Sequence, residues 1–388
     1  TTTTQTKNLN ANLLLSYEIV QGLRLKSSFG YSDYQSSELW KLPERSYNPA
    51  YNPINRSSHL TTSRNSWIIE PQLTYDYIFG KLEANLLVGG TLQHNQSNRS
   101  TFQGQGYASE SLIGNLGSVE SIINASSGET EYKYVAAFSR IGLNWDKKYF
   151  LNLTGRRDGS SRFGPNNRFA GFGAIGAAWI LSEESFFGNF DSFLSFAKIR
   201  GSYGSTGNDQ IGDYGYLDAY QSTMGPGGLY PVALANPDYS WEVNKKLELA
   251  TELGFFHDRV NLGVSWYRNR SSNQLVGYSL PYMTGFSSVQ ANLPATVQNK
   301  GIEIELATVN FNNDRFSWRT NLNLSFPENK LLRYPDIDQS SYANTYRVGK
   351  PLNIALLYEY NGLDPETGLY TVKDMNGDGN LDYEDRTL

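Results

Sequence analysis

The chain has 388 residues, a net charge of −5, no cysteine, and 27 tyrosines, 19 phenylalanines and 7 tryptophans. This length allows two or three ordinary domains or one large barrel. No apolar run approaches the length of a membrane-spanning helix, so a helical membrane protein is excluded. The negative charge and the lack of a basic patch argue against nucleic acid as a partner.

The chain begins with TTTTQTKNLN and ends at Leu388 within a polar segment. The start has neither the basic nor the apolar region of a signal peptide, and no strand is predicted at the end. Because a barrel must close to remove its edges, we expect this chain to be an internal piece of a longer protein.

Segments in which apolar and polar residues alternate recur along the chain, and each predicts a β-strand with one apolar face. Val260, Leu262, Val264 and Trp266, for example, alternate with polar or small residues. About twelve strands are predicted, in pairs: residues 8–20 with 22–35, 66–78 with 82–95, 132–146 with 148–157, 171–181 with 195–206, 241–255 with 259–270, and 299–310 with 316–327. They are longer than the strands of an average soluble sheet.

The connections alternate between short turns flanked by aromatic residues and long polar loops. The long connections are residues 36–64, 96–130, 158–170, 207–240, 271–297 and 328 onward. This asymmetry is typical of outer-membrane barrels, whose short turns are periplasmic and whose long loops are extracellular. The pattern therefore predicts an all-β fold, with residues 1–327 in a partial transmembrane antiparallel β-barrel and residues 328–388 in an extracellular loop segment. The alternative is a large soluble all-β protein, such as a propeller or a stack of sandwiches.

Several strings from Tyr149 onward resemble the SusC/RagA-type TonB-dependent transporters, and they occur in that family's order. They include RRDGSSRFGPNNR, AAWILSEESFF, IRGSYGSTGNDQIGDY, ANPDYSWEVNKKLELA, QNKGIEIEL and GLYTVKDMNGDGNLDYEDRT. The string FAGFGA departs from the family, which more often has Phe-Pro there. The resemblance implies a 22-stranded outer-membrane barrel filled by an N-terminal plug, of which the twelve predicted strands would be an interior run.

The resemblance also implies function and partners. A SusD-like surface lipoprotein would close the extracellular mouth, TonB would supply energy through the plug, and outer-membrane lipid would surround the wall. The leading hypothesis is active import of an oligosaccharide or an oligopeptide. A passive porin, a surface receptor that binds glycans without transport, and a soluble glycan-binding β-protein are the alternatives.

The twelve residues from Asp374 to Asp385 match the spacing of a calcium-binding loop. Gly379 stands at the sixth position, where the loop needs a sharp turn, and Asp385 replaces the usual glutamate at the twelfth. The candidate ligands of a structural Ca²⁺ are Asp374, Asn376, Asp378, Asn380, Asp382 and Asp385. The alternative is an acidic turn without metal, and no other cofactor is expected.

Two further groups of residues could have functional roles. Arg156, Arg157, Asp158 and Arg162 form a charged loop base, which would either contact a substrate or partner or hold the loop to the rim. Loop aromatics could stack on sugars or peptide side chains, or could pack against other loops. The candidates are Trp40, Tyr47, Tyr107, Tyr214, Tyr216 and Tyr230.

No arrangement of residues points to catalysis. The three histidines, His59, His94 and His257, have no metal-ligand spacing, and no nucleophile motif is present. The glycine-rich string that starts at Gly171 matches a dinucleotide fingerprint but opens a predicted strand rather than a helix. We therefore predict that the protein is not an enzyme.

Overall fold

The computed structural model of the protein describes residues 1–189, 193–223 and 227–387. Within these residues twelve long strands form one antiparallel sheet, and their order in the sheet follows their order in the chain. The twelve strands predicted from alternation are therefore confirmed. No helix in the described part of the chain is long and apolar enough to cross a bilayer.

The strands are, in chain order, β1 (Thr2–Val20), β2 (Leu23–Leu42), β3 (Arg56–Phe79), β4 (Leu82–Gln105), β5 (Ser121–Trp145), β6 (Tyr149–Ser160), β7 (Phe169–Ile180), β8 (Leu194–Asn208), β9 (Ala219–Ser222), β10 (Leu229–Ala233), β11 (Glu242–Phe255), β12 (Val260–Ser279), β13 (Ser288–Asn312), β14 (Ser317–Arg333), β15 (Leu357–Tyr358), β16 (Tyr360–Leu363), β17 (Tyr370–Val372) and β18 (Arg386–Thr387). The long sheet contains β1–β8 and β11–β14, and three small sheets pair β9 with β10, β15 with β18, and β16 with β17. Short 3₁₀ helices cover Glu44–Ser46, Pro49–Tyr51, Glu110–Leu112, Leu116–Ser118, Leu181–Glu183, Phe187–Asn189, Tyr282–Thr284, Ile337–Gln339 and Tyr383–Asp385.

The two faces of the sheet differ in chemistry because successive side chains of a strand point to opposite sides. One register row joins Leu13, Phe29, Ile69 and Leu92 across four neighbouring strands. These side chains belong to the apolar face, on which many large hydrophobic residues are exposed to the surroundings. The other side, the polar face, carries rows such as Lys198, Glu252, Gly263 and Glu305.

Aromatic side chains collect at the short-turn end of the sheet. Tyr77 stacks between Tyr75 and Phe79, with ring centroids 6.0 and 6.4 Å apart. Tyr149 stacks on Trp179 at 6.1 Å, and both donate hydrogen bonds to Glu184 in the turn that follows. This aromatic girdle has the composition expected at a membrane interface, where rings with a polar tip meet both lipid and water.

The long-loop end of the sheet is uneven. β3, β4, β5 and β13 each have 24 or 25 residues, whereas β6 and β7 have 12. A tilted strand needs only about 9–11 residues to cross a bilayer, so the long strands extend well beyond one. The short strands in between are covered by the loops that form the candidate site.

Two buried apolar clusters lie at the long-loop end. Phe163, Phe172, Tyr239 and Trp241 form the first, which we call the loop cluster. The second joins the upper ends of β13 and β14 to the segment that follows β14, and it contains Leu293, Ala295, Val297, Leu331 and Tyr334. Folding of the loops is therefore driven by burial of their own aromatic and aliphatic side chains.

Candidate functional site

The loop cluster brings together two strings that are far apart in sequence. Phe163 follows β6 and is fully buried; its ring lies 5.0 Å from that of Trp241 and 5.9 Å from that of Tyr239. Phe172 of β7 completes the cluster, and the centre of its ring lies 5.7 Å from that of Trp241. Gly164 approaches Pro237 so closely that an added Cβ would lie 2.5 Å from the proline carbonyl oxygen. The two loops therefore pack as one body.

Burial also affects the chemistry of the loop cluster. Tyr239 is fully buried and its hydroxyl has no hydrogen-bond partner among the described residues. Because burial disfavours the phenolate, the pKa of Tyr239 is raised to about 12. The side chain therefore remains neutral at physiological pH and acts in packing.

The upper ends of β12 and β13 join this body through hydrogen bonds of asparagine side chains. Asn292 accepts a hydrogen bond from the backbone N–H of Ser240 at 2.9 Å and donates one to the Ser240 carbonyl at 2.7 Å. Asn273, in the left-handed conformation, donates to the carbonyl of Trp241 at 2.8 Å. Asn236 donates to the carbonyl of Gln290 at 2.8 Å. Backbone groups that strand pairing leaves unsatisfied, most of them part-buried, are thus paired by side chains.

The charged loop base divides between the two faces of the sheet. On the polar face, the Nε of Arg156 forms an ion pair with Oδ1 of Asp158 at 2.8 Å. Its Nη2 donates a hydrogen bond to the Tyr134 hydroxyl at 2.6 Å. Arg162 binds Asp213 at 2.9 Å. Arg157 lies on the apolar face instead, with its guanidinium 5.8 Å from the centre of the Phe169 ring.

A charged groove of about 700 Å³ lies on the polar face between β8 and β13. Arg200 bridges Glu248 and Glu252, and Lys198 binds Glu252 at 3.1 Å. Lys246, Glu303, Glu305 and serine, threonine, asparagine and tyrosine side chains line most of the rest of the groove, with a few apolar residues among them. This wall is suited to water and polar solutes rather than to an apolar ligand.

The six predicted loop aromatics lie in three environments: a groove, exposed positions, and structural contacts. Trp40 is half exposed in a groove of about 470 Å³ on the polar face of β2–β4, where Arg56 and Arg99 also lie. Tyr47 and Tyr230 are about half exposed on loops, and the Tyr230 hydroxyl donates to Gln221.

The other three aromatics make structural contacts. Tyr107 is 3% exposed, and its hydroxyl lies 2.6 Å from that of Ser57. Tyr216 packs on the loop cluster, and the Tyr214 hydroxyl accepts the backbone N–H of Glu131 at 2.8 Å. Of the six, Trp40 is the one that lines the groove between β2 and β4.

The calcium-like loop is held together by its own carboxylates. Asp374 accepts backbone N–H groups from Gly377 at 2.6 Å and Gly379 at 2.8 Å. Asp385 is fully buried and accepts from the N–H groups of Asp382 and Met375, which hold the pKa of its carboxyl below the usual range. In the ranges that the structure describes, no three Asp, Glu, His or Cys side chains converge as a ligand set.

Other members of the motif join the same hydrogen-bond pattern. Asn376 donates to Asp378, Asn380 donates its backbone N–H to Asp378, and Glu384 donates its backbone N–H to Asp382. Gly379 has φ of +84°, which places the sharp turn at the sixth position. The donor types and the turn suit a hard cation.

Two functional elements were not identified from sequence. The asparagines Asn236, Asn273 and Asn292 carry no periodic signal, because their role depends on contacts between loops. Arg200 and Lys198 of the charged groove stand in a strand whose polar residues predict only a solvated face.

Comparison with known proteins places this geometry in context. A family model described as TonB dependent receptor-like, beta-barrel, matches residues 1–386. TonB-dependent receptor P3 of Formosa agariphila is 27% identical over 412 residues, covering 97% of this chain and 41% of that protein. TonB-dependent receptor SusC of Bacteroides thetaiotaomicron is 23% identical, covering 98% of this chain and 40% of that protein.

Among solved structures, the fold is similar to that of the RagAB peptide transporter. The TM-score is 0.86 at 22% identity, with 96% of this chain and 43% of that chain covered. The chain thus spans about two-fifths of the length of the relatives it matches.

Proposed function

Because this chain belongs to the family of TonB-dependent receptor-like β-barrels, we propose that the whole protein actively imports an oligosaccharide or an oligopeptide across the outer membrane. Its family places the chain in that membrane, with the apolar face toward lipid and the polar face toward the lumen. In this proposal the protein is the SusC-like barrel of a complex with a SusD-like surface lipoprotein. TonB supplies energy through the plug region of the whole protein.

The observation that carries the proposal is that the sheet has a charged groove along its polar face and packed loops at its long-loop end. Its polar face holds a charged groove, while the β6–β7 and β8–β11 loops at the long-loop end pack around Phe163 and Trp241 and are joined to the upper ends of β12 and β13. A charged groove below an opening lined by ordered loops is suited to a hydrophilic oligomer. The residues hold and guide a solute, and none of them is assigned a bond-making or bond-breaking role.

The experiment is an uptake assay in the native bacterium with the full-length gene deleted. Labelled oligosaccharides and oligopeptides are offered separately, before and after the proton gradient is collapsed. We expect uptake of one class to fall on deletion and also on collapse of the gradient. Uptake that depends on the gene but not on the gradient would support the passive porin. Surface binding without uptake would support the receptor.

We also propose that the loop of residues 374–385 binds a structural Ca²⁺. Asp374, Asn376, Asp378, Asn380, Asp382 and Asp385 would supply oxygen ligands, and the buried Asp385 would tie the two ends of the loop together. Calcium would draw these oxygen ligands together, neutralise their carboxylate charges and stiffen the loop.

This second proposal is tested by hydrogen exchange of the full-length protein in Ca²⁺, in Mg²⁺ and in chelator. Slower exchange of residues 374–385 in Ca²⁺ alone is expected, with the effect removed by Asp378→Asn. The exposed Asp314→Asn, in the turn between β13 and β14, is the matched control. Equal exchange in all three solutions would exclude calcium here.

A further inference from the structure

Arg157 is a charged residue on the lipid-facing side of the barrel wall. It lies opposite Ala137 on β5 and Gly171 on β7. Leu153, four residues earlier on the same strand, faces the same side and pairs with Ile141 and Ile175. An arginine that faces lipid is costly near the bilayer centre and tolerated only toward an interface or with a partner.

Within the described ranges, no polar side chain or backbone group is bonded to the side chain of Arg157. Among the described residues, its guanidinium makes only the cation–π contact with Phe169. The positions around it are small, since Gly155 and Gly159 flank it on β6 and Ala137 and Gly171 lie beside it. The Phe169 ring lies over Gly159, where an added Cβ would meet it at 2.4 Å, but the wall at Gly155 and Gly171 is open, and the Arg157 side chain is exposed.

The height of Arg157 can be estimated from the aromatic girdle. A tilted strand crosses the hydrocarbon in about 9–11 residues, so a span that starts at Tyr149 ends near Gly159. Arg157 therefore lies just inside the boundary between hydrocarbon and headgroups of the outer leaflet. A long arginine side chain reaches the headgroups from this depth.

More basic and aromatic groups lie immediately above. A hollow of about 750 Å³ is lined by Lys133, Arg168, Phe169, Trp67 and Tyr214, among others. The Nε of Arg168 is buried and has no hydrogen-bond partner in the described ranges.

The acidic group in this hollow is already engaged. Glu131 binds Lys133 at 2.8 Å and His94 at 2.9 Å. Among the described residues around this hollow, the guanidinium groups of Arg157 and Arg168 have no carboxylate partner, whereas Lys133 shares Glu131 with His94. Guanidinium groups bind phosphate through paired hydrogen bonds.

We propose that this patch, formed by Arg157, Lys133 and Arg168 with the rings of Trp67 and Phe169, binds the phosphate group of an outer-leaflet glycolipid. The small residues around Arg157 admit the upper acyl region, and the basic side chains hold the phosphate above it. The site is separate from the lumen and from the transported solute. It rests on the membrane orientation of the barrel and not on the identity of the cargo.

The test uses the full-length protein in phosphatidylcholine nanodiscs that contain either phosphorylated lipid A or lipid A from which the phosphates have been removed. Bound glycolipid is counted by native mass spectrometry. We expect roughly tenfold stronger retention of the phosphorylated form, and an Arg157→Gln/Arg168→Gln double variant should reduce this preference to about one. Arg157→Lys should keep part of it.

The matched control is Arg45→Gln, which removes another exposed arginine, from the loop between β2 and β3, where it pairs with Glu110. It should retain the full preference, and heat-dependent gel migration should show that all variants are folded barrels. Equal retention of the two lipids, or an unchanged preference in the double variant, would overturn the proposal. Displacement of the lipid by millimolar inorganic phosphate would identify a free-anion site and would also overturn it.

Discussion

The side chain of Asn292 satisfies both the N–H and the C=O of Ser240, although Asn292 belongs to β13 and Ser240 to the loop before β11. Removal of the amide in Asn292→Ala leaves two part-buried backbone groups without partners. We expect a loss of about 1–2 kcal/mol of local stability. This loss is measured as faster hydrogen exchange around Ser240 in the full-length protein. The control Asn98→Ala, on an exposed part of β4, should leave hydrogen exchange around Ser240 unchanged. If both variants had the same effect there, Asn292 would not have the role assigned to it.

Gly164 and Gly155 provide a matched test of loop packing. An added Cβ at Gly164 would meet the Pro237 carbonyl oxygen at 2.5 Å, whereas the nearest atom to one at Gly155 lies at 3.9 Å. Gly164→Ala should therefore destabilise the loop cluster by about 1–3 kcal/mol, since backbone must move. Gly155→Ala should be nearly neutral. Protease resistance of the loops reports the difference, and an intact Gly164→Ala loop would refute the close contact.

Trp40 and Tyr107 should respond differently to truncation. Trp40 is half exposed in a lumen groove, so Trp40→Ala should weaken cargo binding roughly tenfold and leave thermal unfolding unchanged. Tyr107 is buried against Ser57, so Tyr107→Ala should lower stability by about 3–5 kcal/mol. Binding and unfolding measured on both variants check this. A Trp40→Ala variant that binds normally would remove Trp40 from the binding surface.

The buried Asp385 predicts a defined pH dependence. Backbone N–H groups, foremost that of Asp382, hold its pKa below the value of about 3.9 that an unfolded chain shows. Its carboxylate therefore stabilises the loop fully above that value, and the contribution is lost as the pH falls through the lower, folded pKa.

Hydrogen exchange of residues 374–385, corrected for the intrinsic pH dependence, should be constant from neutral pH to about 5 and should accelerate below about 4. Asp385→Asn should remove this acid transition, and Asp314→Asn should not. An acid transition that persists in Asp385→Asn would assign it to another group.

The twelve strands could be predicted because each has a lipid face and a lumen face, which imposes a period of two on hydrophobicity. The residues at which the strands begin or end on the long-loop side could not be predicted. β5 begins at Ser121 rather than residue 132, and β13 at Ser288 rather than residue 299. Beyond the membrane both faces of these strands meet water or loops, so the alternation disappears while the backbone pairing continues.

The candidate sites show the same limit. Arg156 and Arg157 were grouped as one loop base, but β6 continues through both of them and turns them to opposite faces. The loop cluster depends on contacts between residues 163 and 241, which no local pattern encodes. The motif strings indicated that these loops matter, and the structure shows that they contact one another.

Phe163 lies in the loop after β6, Trp241 in the segment before β11, and Asn292 in the upper part of the β12–β13 hairpin; the first two pack together, and Asn292 is hydrogen-bonded to Ser240 beside Trp241. An engineer who wishes to give this barrel a new specificity therefore cannot exchange one of these three segments alone. The three must be transplanted as a set, whereas Tyr47 stands in a loop outside them and can be varied by itself.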